Sequence, residues 1–168
     1  ARTLPDFVGP DMRLLVCGLN PSLVAADAGY GYAGATNRFW PAALAAGAVT
    51  RARDPFHALR VDGVGMTDLV KRATPRADLL AATEYAAGLE RLRHLVEWLR
   101  PAGVVFVGLA GWRAAVDRRA RPGPQPGGFA GVPAYVMPST SGLNARTALG
   151  DLVEHLRQAL NLPGHRPS

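Results

Sequence analysis

The sequence is short of cysteine, lysine and long apolar runs, and each shortage removes a class of protein. A single cysteine among 168 residues, Cys17, excludes an intrachain disulfide and any zinc or iron–sulfur site built from several thiolates. It also makes an intracellular, cytoplasmic setting the expectation. No uninterrupted apolar stretch approaches the ~18 residues of a membrane-spanning helix, so no membrane partner is expected. With 48% apolar and 19% charged residues the chain is not of disordered composition either. No charged-then-apolar leader precedes Pro5. His57, His94, His155 and His165 lack metal-ligand spacing, and no Ser-His-Asp ordering stands out. Gly18-Leu19-Asn20-Pro21-Ser22 has neither the Gly-Lys-Ser/Thr ending of a P-loop nor the G-x-G-x-x-G dinucleotide pattern.

What is present is an excess of arginine. Eighteen Arg and the lone Lys71 give a formal charge of +6 and a pI near 10.4. Such a balance suits a polyanion, because cationic side chains displace counterions condensed on phosphate. Nucleic acid is the leading partner, although an Ala/Arg/Gly/Pro-rich chain also follows from GC-rich codons. The length fits one domain over 1–168 with a core of its own.

Apolar runs alternate with helical patterns. Leu14-Leu15-Val16-Cys17, Val104-Val105-Phe106-Val107 and Ala134-Tyr135-Val136-Met137 read as strands covered on both faces. Helices are expected from about Asn37 to Gly47, from Asp54, over 83–100, over 110–119 and over 145–160, with Leu149, Leu152, Val153 and Leu156 of the last turned inward. Stretch 61–70 is ambiguous, and 20–36 and 121–133 read as loops. The alternation predicts an α/β fold, a three-layer sandwich with a mostly parallel central sheet.

In such a sheet the loops leaving the carboxyl ends of the strands converge on one crevice. Two segments stand there: Gly18-Leu19-Asn20-Pro21-Ser22 after the first strand, and Pro138-Ser139-Thr140-Ser141-Gly142-Leu143-Asn144 after the last. Asn20, biased toward an extended backbone by Pro21, can orient a water or a polar ligand edge, or it can simply form a turn. Ser139, Thr140 and Ser141 offer hydroxyls and backbone N–H groups just ahead of the expected last helix, to bind phosphate or to cap that helix. Leu143, an apolar residue between Gly142 and Asn144 at a loop tip, has no evident structural purpose.

Gly-Leu-Asn-Pro at 18–21, Tyr32 in a Gly-rich loop, and Asn37-Arg38-Phe39-Trp40 together resemble the mismatch-specific uracil-DNA glycosylase and thymine-DNA glycosylase family. The resemblance runs on through Gly65-Met66-Thr67-Asp68-Leu69-Val70 and Met137-Pro138-Ser139. It implies a monomeric, monofunctional enzyme that flips uracil out of DNA, notably from G·U mispairs, and hydrolyses its N-glycosidic bond without metal or organic cofactor. Single-stranded DNA is a further expected partner. Asn20 would place the attacking water. An amide is a poor base, so Asp68 becomes the candidate to take the water's proton and to stabilise positive charge on the sugar. The alternative for Asp68 is a helix cap or an ion-pair partner for Lys71 or Arg72.

Leu19, Ala25 and Tyr32 would line the base site, Tyr32 by stacking on the base, or else by filling core space. Ala25 stands where a hydroxyl in some relatives crowds C5 of uracil, which leaves room for weak thymine removal from G·T. Leu143 would fill the vacated stack, with Gly142 allowing close approach to the opposite strand and Asn144 hydrogen-bonding the widowed base. Ala145 stands where relatives carry Arg, and Arg146 is the adjacent substitute. Asn37, Arg38, Phe39 and Trp40 are assigned to capping and core support, and Arg118, Arg119 and Arg121 to a solvated face. The competing reading is a non-catalytic α/β protein binding a free nucleobase or nucleotide. An RNA-binding module has no recognisable motif to support it.

Overall fold

A computed structural model describes residues 2–162 of the chain. Its framework is a five-stranded sheet in the order β2-β1-β3-β5-β4, with β1 Leu14–Gly18, β2 Val64–Asp68, β3 Val104–Val107, β4 Gly123–Pro124 and β5 Ala134–Met137. β1 pairs in parallel with β2 and β3, and β3 with β5, while the short β4 runs antiparallel to β5. Side chains alternate between the two faces of a strand. Leu14, Val16, Val105, Val107, Tyr135 and Met137 therefore join one apolar cluster, and Leu15, Cys17, Val104, Phe106, Ala134 and Val136 the other.

Helices cover both faces, as the expected α/β architecture requires. α2 (Phe39–Ala45), α3 (Pro55–Arg60) and α6 (Leu149–Leu160) supply Phe39, Trp40, Ala58, Leu152 and Leu156 to the first cluster. α4 (Ala82–Leu99) and α5 (Leu109–Ala115) supply Leu92, Val96 and Trp112 to the second. Asp54 caps α3 by accepting from His57 N at 2.9 Å, with Pro55 at the first turn.

Four local expectations change. The stretch read as a loop from Asn20 to Thr36 contains α1 (Leu23–Ala28), capped by Ser22 Oγ accepting from Ala25 N and closed by Gly29 at φ 83°. Six residues are too few to show a helical period. The Gly/Pro-rich stretch 121–133 contains β4, and α5 stops at Ala115 rather than 119. α6 begins at Leu149, four residues later than expected, and Leu149 itself is exposed. Residues 138–148 are consequently one continuous surface loop.

The chain goes from β1 to β2 on one side and then to β3 on the other, so the order of connection reverses beside β1. The carboxyl ends of neighbouring strands diverge into a crevice at such a point. Among the described residues no helix is long and apolar enough to cross a membrane.

Candidate active site

The crevice is a cleft of about 890 Å³ lined from the ends of all four parallel strands: Leu19 and Asn20 after β1, Asp68 ending β2, Gly108 after β3, and Pro138 to Asn144 after β5. The two sequence segments thus do face one cleft. α1 contributes buried Ala25, and the turn before α2 contributes Tyr32. Among the described residues no three His, Cys, Asp or Glu side chains gather as a metal site. His165 lies outside the described residues.

Asn20 is half-buried and held by its amide nitrogen, which donates to Arg72 O at 3.1 Å, Pro21 O at 3.3 Å and Thr74 Oγ1 at 2.7 Å. Two of these partners are backbone carbonyls that can only accept, so they fix which end of the amide is nitrogen. Among the described residues Oδ1 takes no hydrogen bond and remains the acceptor this side chain can offer to the cleft.

Asp68 pairs in register with Gly18 across β1 and β2. Neither alternative role for it holds. It ends a strand rather than capping a helix, Lys71 pairs with Asp6 at 2.5 Å, and Arg72 pairs with Glu84 at 2.7 Å. Beneath it Asp6 also accepts from Thr67 Oγ1 at 2.7 Å and from Arg91 Nη1 at 3.1 Å, while Arg91 Nη2 donates to the Asp68 carbonyl. The backbone at Asp68 is therefore pinned and its carboxyl carries no ion pair among the described residues. Burial pushes its pKa up to about 6; Lys71 and Arg91 pull against that shift and Asp6 adds to it.

Gly18 makes this possible. A Cβ there would lie 2.7 Å from Asp68 Oδ1 and 3.0 Å from Tyr32 Oη, so any side chain at position 18 would displace both. Tyr32 stacks on Phe39 with centroids 4.4 Å apart and planes 21° apart, from a backbone at φ 60° that a bulky residue rarely adopts. Among the described residues its hydroxyl is buried without a partner, and its pKa is raised, first by burial and then by the Asp68 charge. Leu19 turns its side chain toward α5, into the space beside Gly111.

The second wall is the loop 138–148. Leu143 is 96% exposed at its tip. Ser139 Oγ accepts from Ser141 N and Ser141 Oγ from Leu143 N, so these hydroxyls shape the loop. The late start of α6 corrects the argument that Ser139 and Ser141 stand at a helix N-terminus, whether to bind an anion or to cap. Both amide hydrogens of Asn144 are also engaged, by Ser139 O at 2.9 Å and Thr147 Oγ1 at 3.0 Å. Gly142 packs on Thr36, whose Oγ1 would lie 2.6 Å from a Cβ, so this glycine serves an internal contact. Arg146 is exposed on the cleft wall.

Sequence reasoning passed over Arg76 and Arg113, which also line the cleft. Nothing local marks either one out among the chain's many arginines.

The model of the Uracil DNA glycosylase superfamily matches residues 5–161, nearly the whole chain. The chain belongs to this superfamily. Membership makes it a DNA glycosylase, a hydrolase of DNA repair whose partner is DNA. As in any uracil-DNA glycosylase superfamily member, the chemistry required is cleavage of a bond between base and sugar. The groups lining the cleft are an amide, a carboxyl and an aromatic ring, all compatible with that demand.

Proposed function

We propose that the protein, as a single-domain monomer, removes uracil from DNA, G·U mispairs foremost and thymine of G·T weakly, within the mismatch-specific branch of its superfamily. The observation that carries the reading is one cleft holding an unpaired, half-buried carboxyl and an amide with a free oxygen, with an apolar side chain fully presented at its rim. A free-nucleobase binder has no use for Leu143 in that position. An enzyme that must extrude a base from a duplex does.

In this mechanism Tyr32 stacks on the extruded base, backed by Phe39, and Ala25 lies at its edge without a hydroxyl to crowd C5. Asn20 Oδ1 accepts from the attacking water and orients a lone pair toward C1′. The water oxygen bonds to C1′ as the C1′–N1 electron pair leaves with the base. The water's proton goes to the Asp68 carboxylate, and that negative charge stabilises the positive charge developing on the sugar. Ser139, Ser141, Arg146, Arg76 and Arg113 all line the cleft, which supports assigning them to the DNA backbone in this reading. The carboxylate must be ionised to act, so a pKa near 6 leaves it competent at neutral pH.

Cleavage stops at the abasic site in this reading. Strand scission by a lyase needs an amine nucleophile. The one lysine, Lys71, is held by Asp6 and does not line the cleft.

The test is a labelled duplex containing G·U, A·U or G·T, and a single strand containing uracil, incubated with protein and then treated with alkali. Breakage at uracil, fastest for G·U and only after alkali, is the expected result. Intact strands with all four substrates would defeat the reading, and scission before alkali would defeat its monofunctional part.

A further inference from the structure

The residues before α2 hold the loop that presents Leu143. Arg38 donates from Nη2 to Asn144 O at 2.8 Å and Ser141 O at 3.3 Å, and from Nη1 to Thr147 O. Its own backbone N–H donates to Thr140 O at 2.9 Å. Next to it, Asn37 Oδ1 accepts from Phe39 N at 3.0 Å and from buried Thr140 Oγ1 at 2.9 Å. Phe39 in turn carries the Tyr32 ring.

Three consecutive residues therefore join the base platform to the loop. The guanidinium spans carbonyls on both sides of Leu143, at 141 and at 144, with a third at 147. Hydrogen bonds from a charged, planar fork are stronger than neutral ones and fix direction as well as distance. A free loop would fold an apolar tip back onto the surface and would lose conformational entropy when it entered the duplex. Pinned at both flanks, this loop bears those costs on folding, before DNA arrives.

We propose that Arg38 is a positioning residue for base extrusion, holding the 139–147 loop so that Leu143 enters the duplex preformed and in register with the Tyr32 platform. The proposal rests on the reading of Leu143 as the residue that fills the vacated stack. It assigns Arg38 a role in opening the duplex and none in bond cleavage.

The experiment is a double-mutant cycle of Arg38→Met and Leu143→Ala on G·U duplex, repeated with uracil opposite an abasic analogue, where no partner base is widowed. Amide hydrogen exchange of the loop is followed in parallel. Arg38→Met should lower kcat/KM on G·U about tenfold, below the roughly 10²-fold that a 1 Å misplacement can cost, and much less opposite the abasic analogue. The double variant should be no worse than Leu143→Ala alone, and exchange should quicken over 139–147 and not in the sheet.

Equal losses on both substrates, additive effects, or an unchanged loop would overturn the proposal. If Leu143→Ala leaves G·U cleavage intact, the reading beneath it fails instead, and the cycle shows which has happened. Should Arg38→Met not fold, Thr140→Val removes the neighbouring tie to Asn37 and should shift the same readouts in the same direction. No shift on either substrate or in exchange would then overturn the proposal.

Discussion

At the β1–β2 end of the cleft, Asp68 ends buried β2 with its backbone carbonyl held by Arg91, and Asn20, just past β1, is held through its side-chain amide by Arg72 O and Thr74 Oγ1. At the 138–148 end, Leu143 stands 96% exposed on a loop with no regular structure. The first wall leaves polar atoms short of partners: Asn20 Oδ1, the Asp68 carboxyl and the Tyr32 hydroxyl. The second leaves an apolar side chain in water while Ser139, Ser141, Asn144 and Arg38 hydrogen-bond within it, Arg38 Nε alone of that guanidinium being buried without a partner among the described residues. Each wall thus exposes the kind of group that folding alone would hide. Unmet polar groups await a small polar reaction centre, and unmet apolar surface awaits a stack of bases.

The comparison breaks first at Asp68. Replacing it with Asn should lower kcat on G·U duplex by about 10²–10³-fold, the usual worth of a positioned acid or base, and the loss should be similar on single strands. The parent's kcat should rise with pH through a midpoint near 6, and Asp68→Asn should lose that rise. Stability should move the other way. The folded state holds the proton more tightly than the unfolded chain, so stability falls as pH climbs from about 4 to about 6 and stays lower above it. Asp68→Asn should therefore be more stable than the parent at pH 7, by on the order of 1–3 kcal/mol, and should melt at a higher temperature. A lower melting point would mean that the carboxyl supports the fold.

Next comes Leu143→Ala, expected to cost roughly 10–100-fold on G·U duplex, since unstacking a base takes a few kcal/mol, and little on single strands. Equal loss on both substrates would make the two walls alike. Tyr32→Phe should have a smaller effect, about threefold in kcat/KM, because it keeps the stacking ring and removes a single hydrogen-bonding group. Its melting temperature should hold or rise, since the hydroxyl is buried unpaired. The smallest change is expected from Arg113→Ala: binding weaker by about two- to threefold for every sequence, with the salt dependence reduced by about one phosphate contact. Competition binding across a salt series measures it.

Strands β1, β3 and β5 were legible because apolar runs of four residues record burial on both faces, whereas β2, Val64–Asp68, fell in the ambiguous stretch 61–70. α1 and β4 were not, since six and two residues carry no usable period. The cleft's chemical wall was half legible. Asn20 stood out by its place after a strand. Asp68 remained ambiguous until Lys71 and Arg72 were seen to hold other partners. The loop wall was less legible, because a helical pattern running back to 145 makes Ser139 and Ser141 resemble cap or anion residues, whereas α6 starts at Leu149 and Arg38 holds the loop from a distant part of the chain.

By itself the sequence determined the alternation of strands and helices, the buried alternating faces and the two segments that meet at strand ends, because these depend on local hydrophobic period and on one topological rule. The tertiary structure alone decided that Asp68 is unpaired with a raised pKa, that Tyr32 leaves a hydroxyl without a partner, and that Arg38 spans the Leu143 loop. Each of those depends on distances between residues far apart in the chain, and neither ionisation nor hydrogen-bond satisfaction can be assigned until folding has settled which groups are neighbours.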